Sequence, residues 1–191
     1  MIRRSFVRSA ALGVALATLY AAPLVAQANG TTVYLVRHAE KATTPAADPP
    51  LTSAGEARAR ALATLLADSG VTAVITTELA RTKETAQPLA AARALAPVAI
   101  TVRGSTAAHV TAVVDAVRRH AGGIVLVVGH SNTIPLIIEA LGGPAMPALC
   151  DAAYSNLFVM RLVTGRPANV TRVTYGAADP DGSDACAGLK P

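Results

Sequence analysis

Short apolar runs alternate along the chain with longer segments in which apolar residues recur at helical spacing. The apolar runs predict six strands, at residues 31–36, 73–76, 98–102, 124–128, 157–163 and 170–175. Helical spacing predicts four helices, at about residues 52–68, 79–95, 106–120 and 133–141, the second of them interrupted by Pro88. This repetition predicts one α/β domain of three layers, in which helices cover both faces of a mostly parallel central sheet.

Two of the predicted strands lead directly into a histidine. The first is followed by Arg37 and His38, and the fourth by Gly129 and His130. Ligands of open α/β folds bind at the carboxyl ends of strands, so we expect both histidines in one site. Arg37 beside His38 places two potential cations together, and Arg81 follows the second strand, which indicates an anionic ligand. A neutral imidazole can attack phosphorus while arginines stabilise the charge of the transferring group.

A serine hydrolase is a competing interpretation of residues 129–133. A nucleophile elbow at Ser131 requires a second glycine where Thr133 stands, and a catalytic histidine later in the chain. No histidine follows His130, so Ser131 is not expected to be a nucleophile.

Several other polar residues are expected to be structural. His109 and His120 belong to this group, and His120 at a helix C-terminus interacts favourably with the helix dipole. Glu56, Arg58 and Arg60 are expected to form the solvated face of the first helix.

The first 28 residues have the composition of a secretory signal. Three arginines precede an apolar stretch at residues 10–26, and a small-x-small pattern follows at residues 26–28. We expect residues 1–28 to be removed during Sec or twin-arginine export, leaving a domain of residues 29–191 in the periplasm or outside the cell. An uncleaved membrane anchor is the alternative, but Pro23 and the small residues argue against stable membrane insertion.

Charge and cysteine content narrow the classes of partner. The net charge of +5 falls to +2 without the three arginines of the leader, and the chain has no Trp, which argues against nucleic-acid binding. Cys150 and Cys186 are expected to pair in an oxidising compartment and to tie the C-terminal tail to the domain, with two unrelated thiols as the alternative. The four histidines and two cysteines show no zinc-like spacing, so no metal or other cofactor is expected.

Four short blocks resemble, in order, the motifs of one family. They are residues 37–40 (RHAE), 51–59 (LTSAGEARA), 77–86 (TELARTKETA) and 128–131 (VGHS). Together they resemble the histidine phosphatase superfamily in its phosphoglycerate mutase-like branch, with a small exported member as the expected form. The resemblance implies a phosphoglycerate mutase-like fold.

The resemblance also implies roles for four residues. His38 would be the nucleophile that becomes phosphorylated, and Arg37, Arg81 and His130 would complete the phosphate pocket and share in catalysis. Water would then hydrolyse the phosphohistidine without a metal. The expected activity is hydrolysis of a small phosphorylated substrate, a phosphomonoester.

One part of the family's pattern is missing. Neither the stretch at residues 101–108 nor the position after His130 offers the carboxylate that protonates the leaving group in the family. Glu40, Asp48 or Glu78 would have to serve instead, or the leaving group would depart unaided. Mutase activity is therefore less expected than hydrolysis. A non-catalytic module that keeps the pocket and only binds a phosphorylated ligand is the alternative.

Overall fold

A central sheet and four helices make up the part of the chain that the structure, a computed structural model, describes, which is residues 30–179. In chain order the elements are β1 (Thr31–Arg37), α1 (Ser53–Leu65), β2 (Ala73–Thr77), α2 (Ala80–Ala92), β3 (Val98–Ile100), α3 (Thr106–Arg119), β4 (Ile124–Gly129), α4 (Thr133–Ala140), β5 (Asn156–Leu162) and β6 (Asn169–Thr174).

The six strands lie in the order β3-β2-β4-β1-β5-β6. The four on the β3 side run parallel to one another, and β5 and β6 extend the sheet from β1 in antiparallel fashion. The prediction of a mostly parallel sheet is confirmed. Since parallel strands end at the same edge of a sheet, the segments that follow β1, β2 and β4 meet there.

Helices cover the sheet on both faces, as predicted. Successive side chains of β4 show the arrangement, because Val125 and Val127 enter the core formed with α3 and α4. Leu126 and Val128 enter the core formed with α1 and α2. Neighbouring residues of a strand point to opposite faces, so a strand covered on both sides is apolar throughout. The three-layer α/β prediction is confirmed.

The predicted interruption at Pro88 is wrong. α2 runs without a break through Pro88, which cannot donate a backbone hydrogen bond to the carbonyl of Glu84. Buried Ala86 and Leu89 on either side anchor the helix against the sheet, which offsets the lost bond. α1 and β3 end three and two residues earlier than predicted.

Part of the N- and C-terminal predictions lies outside the described residues. Residues 1–28 and Cys186 are not among them. Cys150 is among them and is not a free thiol, and its pairing with Cys186 stays a prediction. Within residues 30–179, no helix has the length and apolar character needed to cross a membrane.

Candidate active site

The register of two parallel strands brings the two strand-end histidines together. β1 pairs with β4 so that Arg37 lies opposite Gly129, and the next residue on each strand is a histidine. The backbone N–H of His38 donates to the Gly129 carbonyl oxygen over 2.9 Å. The imidazole centroids of His38 and His130 lie 5.4 Å apart, with 64° between the ring planes. The backbone ladder between the strands therefore sets the separation of the two rings.

His38 is held as a neutral imidazole with a defined tautomer. Its Nδ1 atom lies 2.8 Å from the carbonyl oxygen of Ala39. A carbonyl oxygen only accepts, so Nδ1 carries the proton and Nε2 carries the free lone pair. Burial lowers the pKa of His38 to about 3, and the charges of Arg37, His130 and Arg81 act in the same direction against the hydrogen bond to Ala39. The unprotonated Nε2 is the form of a histidine that can act as a nucleophile.

Arg37 is held by the loop that precedes β5. Its Nη1 atom donates to the carbonyl oxygens of Cys150 and Asp151, each over 2.8 Å. The guanidinium carbon lies 4.2 Å from the centroid of the Tyr154 ring, in cation–π geometry. Burial lowers the pKa of Arg37 although Tyr154 and Asp151 act to raise it. Tyr154 thus belongs to the site, although its place there was not predicted from the sequence.

Arg81 lies in the first turn of α2 and shares its surroundings with His130. Burial lowers the pKa of Arg81, although the charge of Asp48 acts to raise it. Burial also lowers the pKa of His130 to about 4, with the charge of Arg81 as the next cause. His130 is therefore a neutral ring beside two guanidinium groups at neutral pH.

Three polar atoms of this cluster are buried and have no hydrogen-bond partner within residues 30–179. They are the Nε atoms of Arg37 and Arg81 and the Nε2 atom of His130. Buried polar atoms are rarely unpaired in folded proteins, and those that are call for an explanation such as a ligand. The nearest carboxylates to the two arginines, those of Asp151 and Asp48, lie 3.9 and 3.8 Å away and have exposed side chains. The arrangement can bind a tetrahedral dianion beside the His38 lone pair.

The segment after His38 is packed tightly onto the start of α1. The Oγ1 atom of Thr52 accepts a hydrogen bond from the N–H of Gly55, and the N–H of Thr52 donates to the Glu40 carbonyl oxygen. A Cβ atom at position 55 would collide with that same carbonyl oxygen. Gly55 therefore allows the backbone that follows the nucleophile to lie directly against the helix.

The three carboxylates named as candidate acids are engaged elsewhere. Glu40 accepts hydrogen bonds from the Arg58 guanidinium, the shortest of them 2.8 Å. Asp48 accepts from the N–H of Ala80 with both oxygens, at 2.9 and 3.1 Å, which is the position of a helix cap. In both sets of contacts the carboxylate oxygens act as hydrogen-bond acceptors.

Glu78 is also held as an acceptor. Its carboxylate accepts from the hydroxyl of Thr101 over 3.0 Å and from the N–H of Val102 over 2.9 Å. Burial acts to raise the pKa of Glu78, but these hydrogen bonds and the charge of Arg103 outweigh it and lower the pKa. A carboxyl group with a lowered pKa is a poor proton donor near neutral pH.

Arg58 does not lie on a solvated helix face, so that expectation is wrong. The residue is 4% exposed, and its guanidinium binds the Glu40 carboxylate and the carbonyl oxygens of Tyr175 and Ala177. The carboxylate of Asp179 lies 3.7 Å away. The Arg58 side chain can be buried because two carboxylates from distant segments neutralise its charge.

His109 lies beside the site rather than apart from it. It is 4% exposed, and its Nδ1 atom lies 2.8 Å from the Thr101 carbonyl oxygen. The Nε2 atom is buried and has no partner among the described residues. His109 lines a pocket of about 210 Å³ with Leu79, Arg81, Val102, Thr106, His130, Asn132 and Thr133. His120, by contrast, is the C-cap of α3 and lies at the expected helix terminus.

The fold and the site together define an α/β protein in which a neutral histidine lies beside a second histidine and two arginines. Residues 33–103 match the family described as "Histidine phosphatase superfamily (branch 1)". Within residues 30–179, no group of three or more His, Cys, Asp or Glu side chains is placed to hold a metal ion.

Comparisons with individual proteins show further similarities. A segment of 66 residues is 46% identical to "Probable phosphoglycerate mutase GpmB" of Serratia proteamaculans, and spans 31% of this chain and 31% of that relative. The structure of the protein histidine phosphatase SixA complexed with tungstate superposes with a TM-score of 0.59 at 17% identity, over 75% of this chain and 96% of SixA. The alpha-ribazole phosphatase of Shigella flexneri gives a TM-score of 0.58 at 18% identity, over 75% and 96%. These structures share the fold.

Proposed function

We propose that this protein is a phosphatase that hydrolyses a small phosphomonoester through a phosphohistidine intermediate on His38. The observation that carries the proposal is the neutral His38 ring, with Nδ1 bound to a carbonyl oxygen, next to the buried guanidinium of Arg37 and the half-buried guanidinium of Arg81. Two proteins of similar fold, SixA and the alpha-ribazole phosphatase, are phosphatases, and the SixA structure is a complex with the oxyanion tungstate. Both facts support phosphate-ester hydrolysis as the reaction.

In the proposed reaction, the Nε2 lone pair of His38 attacks phosphorus and the bond to the leaving oxygen breaks. Arg37 and Arg81 stabilise the charge on the phosphoryl oxygens, and the unpaired ring nitrogen of His130 contacts the same group. Water then attacks phosphorus, the phosphorus–nitrogen bond breaks, and inorganic phosphate leaves. Each step uses groups of this chain and requires no metal.

The central test is hydrolysis of p-nitrophenyl phosphate by the purified protein in a buffer with a metal chelator. We expect turnover in the wild type and a loss of at least ~10³-fold in kcat for His38→Ala. After rapid quenching with labelled substrate, the label should be recovered on His38. His120→Ala is the matched control and should keep wild-type activity. Full turnover in His38→Ala would overturn the proposed mechanism.

Two other activities give different results in the same experiments. The GpmB likeness makes a mutase the second candidate, and with phosphoglycerate as substrate we expect release of inorganic phosphate and no isomerised phosphoglycerate. A binding module would bind phosphate, measured by calorimetry, and show no hydrolysis of any phosphomonoester.

We also propose that the chain is exported to the periplasm or secreted. The basic and apolar composition of residues 1–28 supports this proposal. Mass spectrometry of the protein recovered from the periplasmic fraction of a Gram-negative host should give a chain that starts at Asn29. A chain that keeps Met1 and stays in the cytosolic fraction would contradict it.

A further inference from the structure

The pocket beside the anion site has the position expected for the leaving group. Arg81 and His130 line both the anion site and this pocket of about 210 Å³, whereas His38 does not line the pocket. Phosphoryl transfer places the attacking and leaving groups on opposite sides of phosphorus. A phosphoryl group held by Arg81 and His130 and attacked by His38 therefore directs its leaving oxygen toward the pocket.

The polar atoms that line this pocket are unusual. Three of its lining residues, Arg81, His109 and His130, each have a buried nitrogen without a partner among the described residues. Arg81 and His130 already have a use in binding the phosphoryl group. His109 has none, and it is 4% exposed on the inner face of α3. A buried, unpaired ring nitrogen in a polar pocket is a reason to expect a contact with a ligand.

The hydrogen bond of His109 determines which of its ring nitrogens is available to a ligand in the pocket. Nδ1 must carry a proton, because the Thr101 carbonyl oxygen only accepts. All proton exchange therefore takes place at Nε2, and the ring stays in one orientation in both of its protonation states. An anchored imidazole of this kind suits a general acid or base.

We infer that His109 protonates the leaving group, an inference that rests on the proposed phosphatase function. As the bond between phosphorus and the leaving oxygen breaks, the proton on Nε2 moves to that oxygen and the alcohol departs. His109 is then neutral. When water attacks the phosphohistidine, the phosphorus–nitrogen bond breaks and a proton of that water moves to an oxygen of the departing phosphate, while Nε2 of His109 regains its proton from solvent.

This role would account for protonation of the leaving group in a chain that lacks the carboxylate of the family pattern. The carboxylate oxygens of Glu40, Asp48 and Glu78 each accept hydrogen bonds from groups of the chain. The titratable residues that line the pocket are Arg81, His109 and His130. Arg81 and His130 are assigned to the phosphoryl group, which leaves His109 as the candidate proton donor among the described residues.

Leaving-group dependence tests the inference. p-Nitrophenolate departs without protonation, whereas the alkoxide of glycerol phosphate does not. We expect His109→Asn to keep p-nitrophenyl phosphate hydrolysis within ~3-fold and to lose ~10²-fold in kcat with glycerol phosphate. The amide of the asparagine can still donate to the Thr101 carbonyl oxygen, so the anchor remains while Nε2 is removed. His109→Gln provides a second variant, and thermal unfolding reports whether each variant is folded.

Other outcomes separate this inference from the proposed function. His120→Gln is the matched control and should change neither substrate. Equal loss with both substrates in the folded His109 variants would show a structural role and overturn the inference alone. The inference would also be overturned if Tyr154→Phe or Asp48→Asn lost activity with glycerol phosphate and kept it with p-nitrophenyl phosphate. If the wild type hydrolysed neither substrate, the proposed function would fall as well.

Discussion

Two buried arginine clusters in this protein differ in how their charge is neutralised. Arg58 uses Nε and Nη2 on the Glu40 carboxylate and Nη1 on two carbonyl oxygens. Burial acts to lower the pKa of Arg58, but the hydrogen bond and charge of Glu40 outweigh it and raise the pKa. Arg37 and Arg81 each have an unpaired Nε atom, and burial lowers the pKa of both.

The comparison separates a cluster that stabilises the fold from one that binds a ligand. Both place guanidinium groups in the protein interior, which is costly unless a partner compensates. The chain itself provides the anions for Arg58. For Arg37 and Arg81, we propose that the bound substrate supplies the compensating anion.

The largest expected effect is loss of stability on Arg58→Met. The change leaves the half-buried carboxylate of Glu40 and that of Asp179, whose side chain is 7% exposed, without their cation, which should lower the free energy of unfolding by about 3–5 kcal/mol. Urea denaturation measures this loss. Arg60→Met is the matched control, because Arg60 lies two residues away with its side chain 64% exposed. If Arg58→Met lowered the free energy of unfolding by less than about 1 kcal/mol, the Arg58 cluster would not have the stabilising role assigned to it here.

Next in size is the loss of activity on Arg81→Lys. A lysine keeps the charge but cannot form paired hydrogen bonds with phosphoryl oxygens, so kcat/KM should fall ~10²-fold, or about 2.7 kcal/mol. Steady-state hydrolysis of p-nitrophenyl phosphate gives this value, and the free energy of unfolding should stay near that of the wild type. Arg103→Lys is the control, since its side chain is 91% exposed. Wild-type activity in Arg81→Lys would show that Arg81 does not bind the phosphoryl group.

The smallest expected effect is a pH dependence of stability. Burial lowers the pKa of His38 to about 3 and that of His130 to about 4. Below about pH 6.5 the unfolded chain binds protons at both rings and the folded chain does not, so stability falls as pH decreases through that value and is retained above it.

Between pH 7 and pH 6 the two rings together should lower the free energy of unfolding by about 1.4 kcal/mol. Urea denaturation in phosphate-free buffer measures the change. The double variant with His38→Gln and His130→Gln should lose that part of the pH dependence. An unchanged slope in the double variant would mean that the rings are protonated in the folded protein.

The sequence predicted those parts of the site that local patterns encode. His38 and His130 each follow a continuous apolar strand, and Arg37 and Arg81 lie within short motifs, so their positions could be read from neighbouring residues. The fold followed from the alternation of strand and helix patterns, which depends on burial on both faces of the sheet.

The rest depends on contacts between distant segments. Arg58 binds Glu40, 18 residues away, and Ala177, 119 residues away, and helical periodicity alone assigned it to the surface. The burial of His109 had a signal, because it stands four residues before Val113 on the apolar side of α3. Its unpaired Nε2 atom had none, since that depends on where the Thr101 carbonyl and the pocket lie.

Asp179 joins the two arginine clusters. Its carboxylate lies 3.7 Å from Arg58 and accepts hydrogen bonds from the backbone N–H groups of Tyr154 and Ser155, at 2.9 and 3.0 Å. The ribosome makes both histidines and both site arginines long before it reaches Asp179. A nascent chain that ends at β6 therefore holds those groups without the acceptor that fixes Tyr154 beside Arg37. The proposed phosphate pocket is thus completed when the segment after β6 docks against the residues that precede β5, and not when the two histidines first meet.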